Sequence, residues 1–168
     1  MITESAYANA RQLLFLLPEE IFKLWFDERI KANGWPPNQG VWQGTLRDKS
    51  IQYWTKLHWE KTLMKLDYNL LTNSSKEIIE GLIEANFHNK INDYSLLLND
   101  SMSRIKSIID YFKKYSKLPS PLILIYENRK YEIIDGSHRI AVFFFLQSIC
   151  KNNIKLNNEH ESWIGKIK

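Results

Sequence analysis

Residues 121–149 constrain the fold more than any other stretch of the chain. Leu122 to Tyr126 is an apolar, β-branched run, which reads as a buried strand. Glu127-Asn128-Arg129-Lys130 is polar and short enough for a hairpin turn, and Tyr131 to Ile134 reads as a second strand. Asp135-Gly136-Ser137-His138-Arg139 then breaks the strand pattern and opens a helix. Ile140 to Leu146 is apolar on every face, so this helix is expected to be buried all round.

Two readings of that helix start stand side by side. Asp-Gly is a common turn and Ser137 is a good N-cap, which gives a plain strand–turn–helix junction. The other reading is an anion site. The first N–H groups of a helix have no partner inside it, and the helix dipole favours a phosphate there. Gly136 lets the backbone approach a ligand closely. Arg139 can fork onto phosphate oxygens, and His138 can donate a hydrogen bond or move a proton. His138 and Arg139 are neighbours, so on a regular helix they diverge. They converge only on a ligand lying on the helix axis.

Charge supports the anion reading. Residues 101–168 carry 12 Lys or Arg against 6 Asp or Glu, whereas residues 1–100 carry 11 against 13. The basic part holds the 135–139 segment, and a positive field attracts phosphates. Arg104 and Lys106 belong to the same basic part and join the candidate nucleotide-binding set. Cys150 is the one cysteine, which excludes an intrachain disulfide and a multi-cysteine zinc site and fits a reducing, cytoplasmic setting. Cys150 follows the apolar helix and reads as structural. No run of 18 apolar residues occurs, so no membrane span is expected. The first residues lack the basic segment of a secretory signal.

The length of 168 residues suits a single domain, 1–168, with a helical N-terminal region over 1–90. Helices are expected over 5–16, over 18–32 and over 51–66, the last capped by Ser50. Another should follow the capping-box spacing Ser74 to Glu77 and run to Phe87. Residues 34–44 hold three glycines, two prolines, Trp35 and Trp42. They read as a surface loop pinned by aromatic anchors, or as a lid or stacking platform. Met102, Ile105, Ile108, Ile109, Phe112 and Tyr115 follow the helical period, with Asp100 or Ser101 as cap. Pro119 and Pro121 stop that helix. The tail, 151–168, is rich in Lys and Asn and reads as loosely packed around Trp163.

No Gly-x-x-x-x-Gly-Lys-Ser/Thr, His-Glu-x-x-His, Gly-x-Ser-x-Gly or Cys-x-x-Cys is present. The proline-led strand from Pro121, the hairpin, the second strand and Asp135-Gly136-Ser137-His138-Arg139-Ile140-Ala141 together resemble the ParB/sulfiredoxin-like superfamily. The resemblance covers about residues 91–150, and residues 1–90 have no counterpart in it. It implies an α+β fold, with the helical N-terminal region followed by a small sheet-and-helix core built around a nucleotide.

The resemblance also implies roles. Gly136, Ser137, His138 and Arg139 would lie on the phosphates of ATP, ADP or CTP. Asp135 would hold Mg²⁺ or brace the turn, and His138 and Asp135 would be the catalytic pair. Sulfiredoxins carry a Cys where this chain has Ser137; a hydroxyl cannot do that thiol's chemistry, so sulfiredoxin activity is excluded. The partition clamps of the superfamily bind DNA through a further domain, for which too few residues follow Leu146, and DNA is not the favoured partner. The expected function is hydrolysis or transfer of a phosphoryl group, to a small-molecule or protein acceptor. The alternative is a binding or regulatory module without turnover, associated with DNA. A nuclease ranks last, because no cluster of carboxylates for two metals is visible.

Overall fold

The β2–β3 hairpin forms because its turn residues tolerate left-handed backbone. In a computed structural model that describes residues 2–33, 35, 41–149 and 157–167, β2 (Leu122–Glu127) and β3 (Lys130–Asp135) pair antiparallel, with Leu124 opposite Ile133 and Tyr126 opposite Tyr131. Asn128 and Arg129 join them at φ 52° and 61°, the backbone of a two-residue hairpin whose twist matches the strands. With β1 (Leu57–Lys65) and β4 (Glu159–Ile167) they make one sheet in the order β1-β4-β2-β3. The fold is α+β, as expected. Gly34, Pro36, Pro37, Gly40, Cys150 and the tail's Lys151 to Leu156 lie outside the described residues.

Chain contacts divide into two compact units: residues 1–61 with 163–168, and residues 62–162. The first holds α1 (Ile2–Leu13), α2 (Glu19–Ile21), a π turn (Phe22–Phe26), α3 (Asp27–Asn33), α4 (Val41–Thr45) and α5 (Ile51–Thr55). Pro18 precedes α2 as expected, and the Ser50 hydroxyl caps α5 by accepting from the Tyr53 N–H. Aromatic rings fill the interior. Trp25 stacks on Trp54 at 5.0 Å and Phe26 on Trp42 at 5.7 Å. Trp42 is buried in α4 and meets the edge of Trp35. It is an anchor and presents no open face on which a base could stack.

Two elements differ from their sequence expectation. The helix expected over 51–66 stops at Thr55, and residues 57–65 form β1. The spacing of Trp54 and Leu57 suits a helix, but pairing with a strand about a hundred residues away overrides it. The tail likewise ends in β4, with His160, Ser162, Ile164 and Gly165 buried. At Gly165 a β-carbon would stand 3.0 Å from the Trp59 ring, so the glycine makes room for that indole.

In the second unit, α6 (Asn73–Phe87), α7 (Leu98–Tyr115) and α8 (Ser137–Ile149) accompany the hairpin. Leu122 to Ile125, Ile133 and Ile140 to Phe143 are completely buried. Each such aliphatic or aromatic side chain contributes about 1.5–3 kcal/mol relative to exposure. α8 is buried over Ile140–Phe143 only: Phe144, Phe145 and Leu146 are half-buried at the rim, where Phe145 stacks on Phe87. On α7, Met102 and Tyr115 are exposed rather than internal. They flank the apolar stripe, which is made by Ile105, Ile108 and Phe112 with Ser101. No helix among the described residues is long and apolar enough to cross a membrane.

The cap of α6 is Thr72, whose hydroxyl accepts from the Ser75 N–H, and not the expected Ser74. The shift has a purpose in the sheet. β3 is an edge strand, and its outer edge is closed by this segment. The Thr72 N–H donates to the Tyr131 carbonyl at 2.9 Å, and the Ile133 N–H donates to the Ser75 hydroxyl at 2.9 Å. Ser75 itself is 1% exposed. Ser75→Ala leaves the Ile133 N–H buried without an acceptor, and is expected to cost about 1–3 kcal/mol in urea unfolding.

Candidate functional site

The 135–139 segment is built around one glycine. Gly136 is buried with φ +107°, and its carbonyl accepts the first helical bond from the Ile140 N–H at 2.9 Å. Gly136 therefore caps α8, and Ser137, expected as the cap, is the first helical residue. A β-carbon at Gly136 would stand 2.6 Å from Leu122 Cδ2 and 3.2 Å from Arg139 Nη2. Leu122 is itself fully buried and cannot yield. A glycine cap brings no side-chain oxygen to the first-turn N–H groups, which in other helices a Ser or Asp would occupy.

From this turn His138 and Arg139 diverge, as neighbours on a helix must. His138 turns to α7, where its Nε2 lies 3.1 Å from the hydroxyl of Ser101. Burial lowers the His138 pKa below its ordinary value, and the charge of Arg104 lowers it further, with Asp135 opposing. The imidazole is thus neutral at pH 7, with one nitrogen donating and the other accepting. Arg104 is exposed and stands one turn along α7 from Ser101. Lys106 lies about 200° round the helix from Arg104 at 100° per residue, on the outer face.

Arg139 turns the other way. Its Nη1 donates to the carbonyls of Pro119, Ser120 and Pro121 at 3.0, 3.0 and 2.8 Å. Its Nη2 pairs with Asp135 Oδ2 at 2.5 Å. The structure thus gathers Asp135, Gly136, Ser137, His138, Arg139 and Arg104 at one end of the hairpin, and leaves Lys106 aside. Ser101 is the residue that the sequence reading did not put in the site. It is 2% exposed; a hydroxyl in register with Ile105 and Ile108 on the apolar stripe is the signal that marks it.

Among the described residues of the junction Asp135 is the carboxylate in contact with this cluster, and it is engaged by Arg139. Among the described residues no group of three or more His, Cys, Asp or Glu side chains is placed to hold a metal ion. A separate concavity of about 310 Å³ lies between the start of α6 and the hairpin, lined by Thr72, Asn73, Glu127, Lys130 and Glu132 among others. It contains none of the residues of 135–139. Comparison with protein-family models, with curated proteins and with solved structures finds no match to the chain.

Proposed function

We propose that this chain binds a nucleotide through its phosphates at the N-terminus of α8, as the ParB/sulfiredoxin-like resemblance implies, and transfers or hydrolyses the terminal phosphoryl group. The observation that carries the reading is the glycine cap. A 13-residue helix follows directly on a buried glycine with positive φ, so its first N–H groups are open to a ligand with no capping side chain in the way. The Ser137 hydroxyl and the neutral His138 imidazole add hydrogen-bonding groups at the same end, and His138 orients an oxygen through a ring N–H. Positioning and electrostatics then supply the catalysis.

Asp135 alone, paired with Arg139, does not make a resident metal site. Mg²⁺ belongs to this reading as an ion carried on the nucleotide's phosphates, where it neutralises charge. The same ion pair favours a second reading, a nucleotide-dependent binding module without turnover, because the described carboxylate at the junction is already held by Arg139. A cytoplasmic setting, consistent with the single cysteine, suits both.

Titration calorimetry with ADP, ATP and CTP, with and without Mg²⁺, tests the shared claim. Binding with Kd below about 1 mM is expected, and its absence for all three ends the nucleotide reading. Phosphate release from the nucleotide that binds then separates an enzyme from a module.

A further inference from the structure

We propose that the two arginines at this junction divide the work: Arg139 is a positioning residue that holds the Gly136 turn, and Arg104 is the cation that meets the bound anion. The Arg104 half rests on the nucleotide reading; the Arg139 half does not. A guanidinium has five N–H donors and one positive charge. On Arg139, Nη1 is engaged by three successive carbonyls and Nη2 by a carboxylate that compensates the charge. Those carbonyls converge because Ser120 takes a left-handed backbone, φ 59°, a conformation uncommon for a residue with a β-carbon. Arg139 therefore ties the lead-in of β2 to the last residue of β3, on either side of the Gly136 turn. To reach a phosphate it would have to abandon these partners.

Arg104 has no such ties. It has no hydrogen bond or ion pair with another described side chain, and it is exposed on the turn of α7 that follows Ser101. Ser101 touches His138, so the Arg104 charge stands beside the first turn of α8. Its side chain is long enough to swing onto an anion seated there, at the entropic cost of ordering one exposed arginine.

The test compares wild type, Arg104→Ala, Arg104→Lys and Arg139→Lys by calorimetry with ADP and by thermal melting. Arg104→Ala is expected to bind ADP about tenfold or more weakly with an unchanged Tm, and Arg104→Lys to recover part of the affinity. Arg139→Lys keeps the charge but loses the fork, so its Tm is expected to fall while ADP affinity, measured well below the melt, stays near wild type. The proposal is overturned if Arg104→Ala binds like wild type, or if Arg139→Lys loses ADP at an unchanged Tm. Should wild type bind no nucleotide, the Arg104 half falls with that reading, and the melting temperatures alone decide the Arg139 half.

Discussion

Replacing Arg139 by alanine is expected to destabilise the fold by about 2–3 kcal/mol, because this half-buried ion pair stands between exposed pairs, which contribute little, and fully buried ones, whose loss costs about 3–5 kcal/mol. The arginine side chain is 13% exposed, and Asp135 is 33% exposed. Truncation strands the Asp135 carboxylate and three carbonyls that converge on the missing guanidinium. It also releases the left-handed Ser120 from the contact that holds it. Asp135→Asn should cost less, because the carbonyls keep their donor and the amide oxygen still accepts from Nη2. Urea unfolding of the two single variants and of the double variant Arg139→Ala/Asp135→Asn checks the account. The double variant should recover part of the Arg139→Ala loss, since no unpaired charge remains. An arginine whose role is to hold phosphate makes the opposite forecast: with no ligand present, its removal would leave stability within about 0.5 kcal/mol of wild type.

The sequence reading succeeded where the determinants are local. The hairpin follows from a short polar turn between two β-branched runs, and the end of α7 follows from Pro119 and Pro121. The end of α6 follows from His88-Asn89, with Asn89 in the left-handed region. It failed where a partner is distant. Nothing within residues 57–65 announces β1. Next to that strand, the Leu66 N–H bonds the Asn158 carbonyl, and no window of local sequence spans that separation. The site divides in the same way. That residues 135–139 sit at a strand–helix turn is local chemistry and legible. The direction in which each side chain leaves the turn depends on what α7 and the 119–121 segment present to it. Ser101 lies more than thirty residues before the motif, Arg104 is marked in the sequence by its charge alone, and the carbonyls that hold Arg139 belong to the backbone, which carries no residue-type signal at all.

The chain is expected to lose about 3 kcal/mol of stability between neutral pH and pH 4 through one residue, His160. It lies on β4, 3% exposed, with the Phe143 ring against it edge-on at 4.8 Å. Neither ring nitrogen has a hydrogen-bond partner. Its neighbours Glu159 and Glu161 alternate to the exposed face of the strand, so no carboxylate on its own strand shares its side. Burial alone pushes the imidazole from its ordinary value of 6.5 down to about 4. In the unfolded chain His160 accepts a proton as the pH drops below about 6.5; in the folded chain it resists until about 4. Between those values the unfolded state holds more protons, so stability falls with falling pH, by about 1.4 kcal/mol per pH unit, and the loss is complete near pH 4. Above about pH 7 the residue contributes no pH dependence. Other groups also titrate in acid, so the measurement is a difference: urea midpoints of wild type and His160→Leu at pH 7 and at pH 4.5. The leucine variant should be at least as stable as wild type at pH 7, because it removes two buried polar atoms without partners. It should also lose distinctly less at pH 4.5. Parallel losses in the two proteins would mean that His160 is solvated or paired in the native state, and that β4 does not pack its inner face against α8 as described.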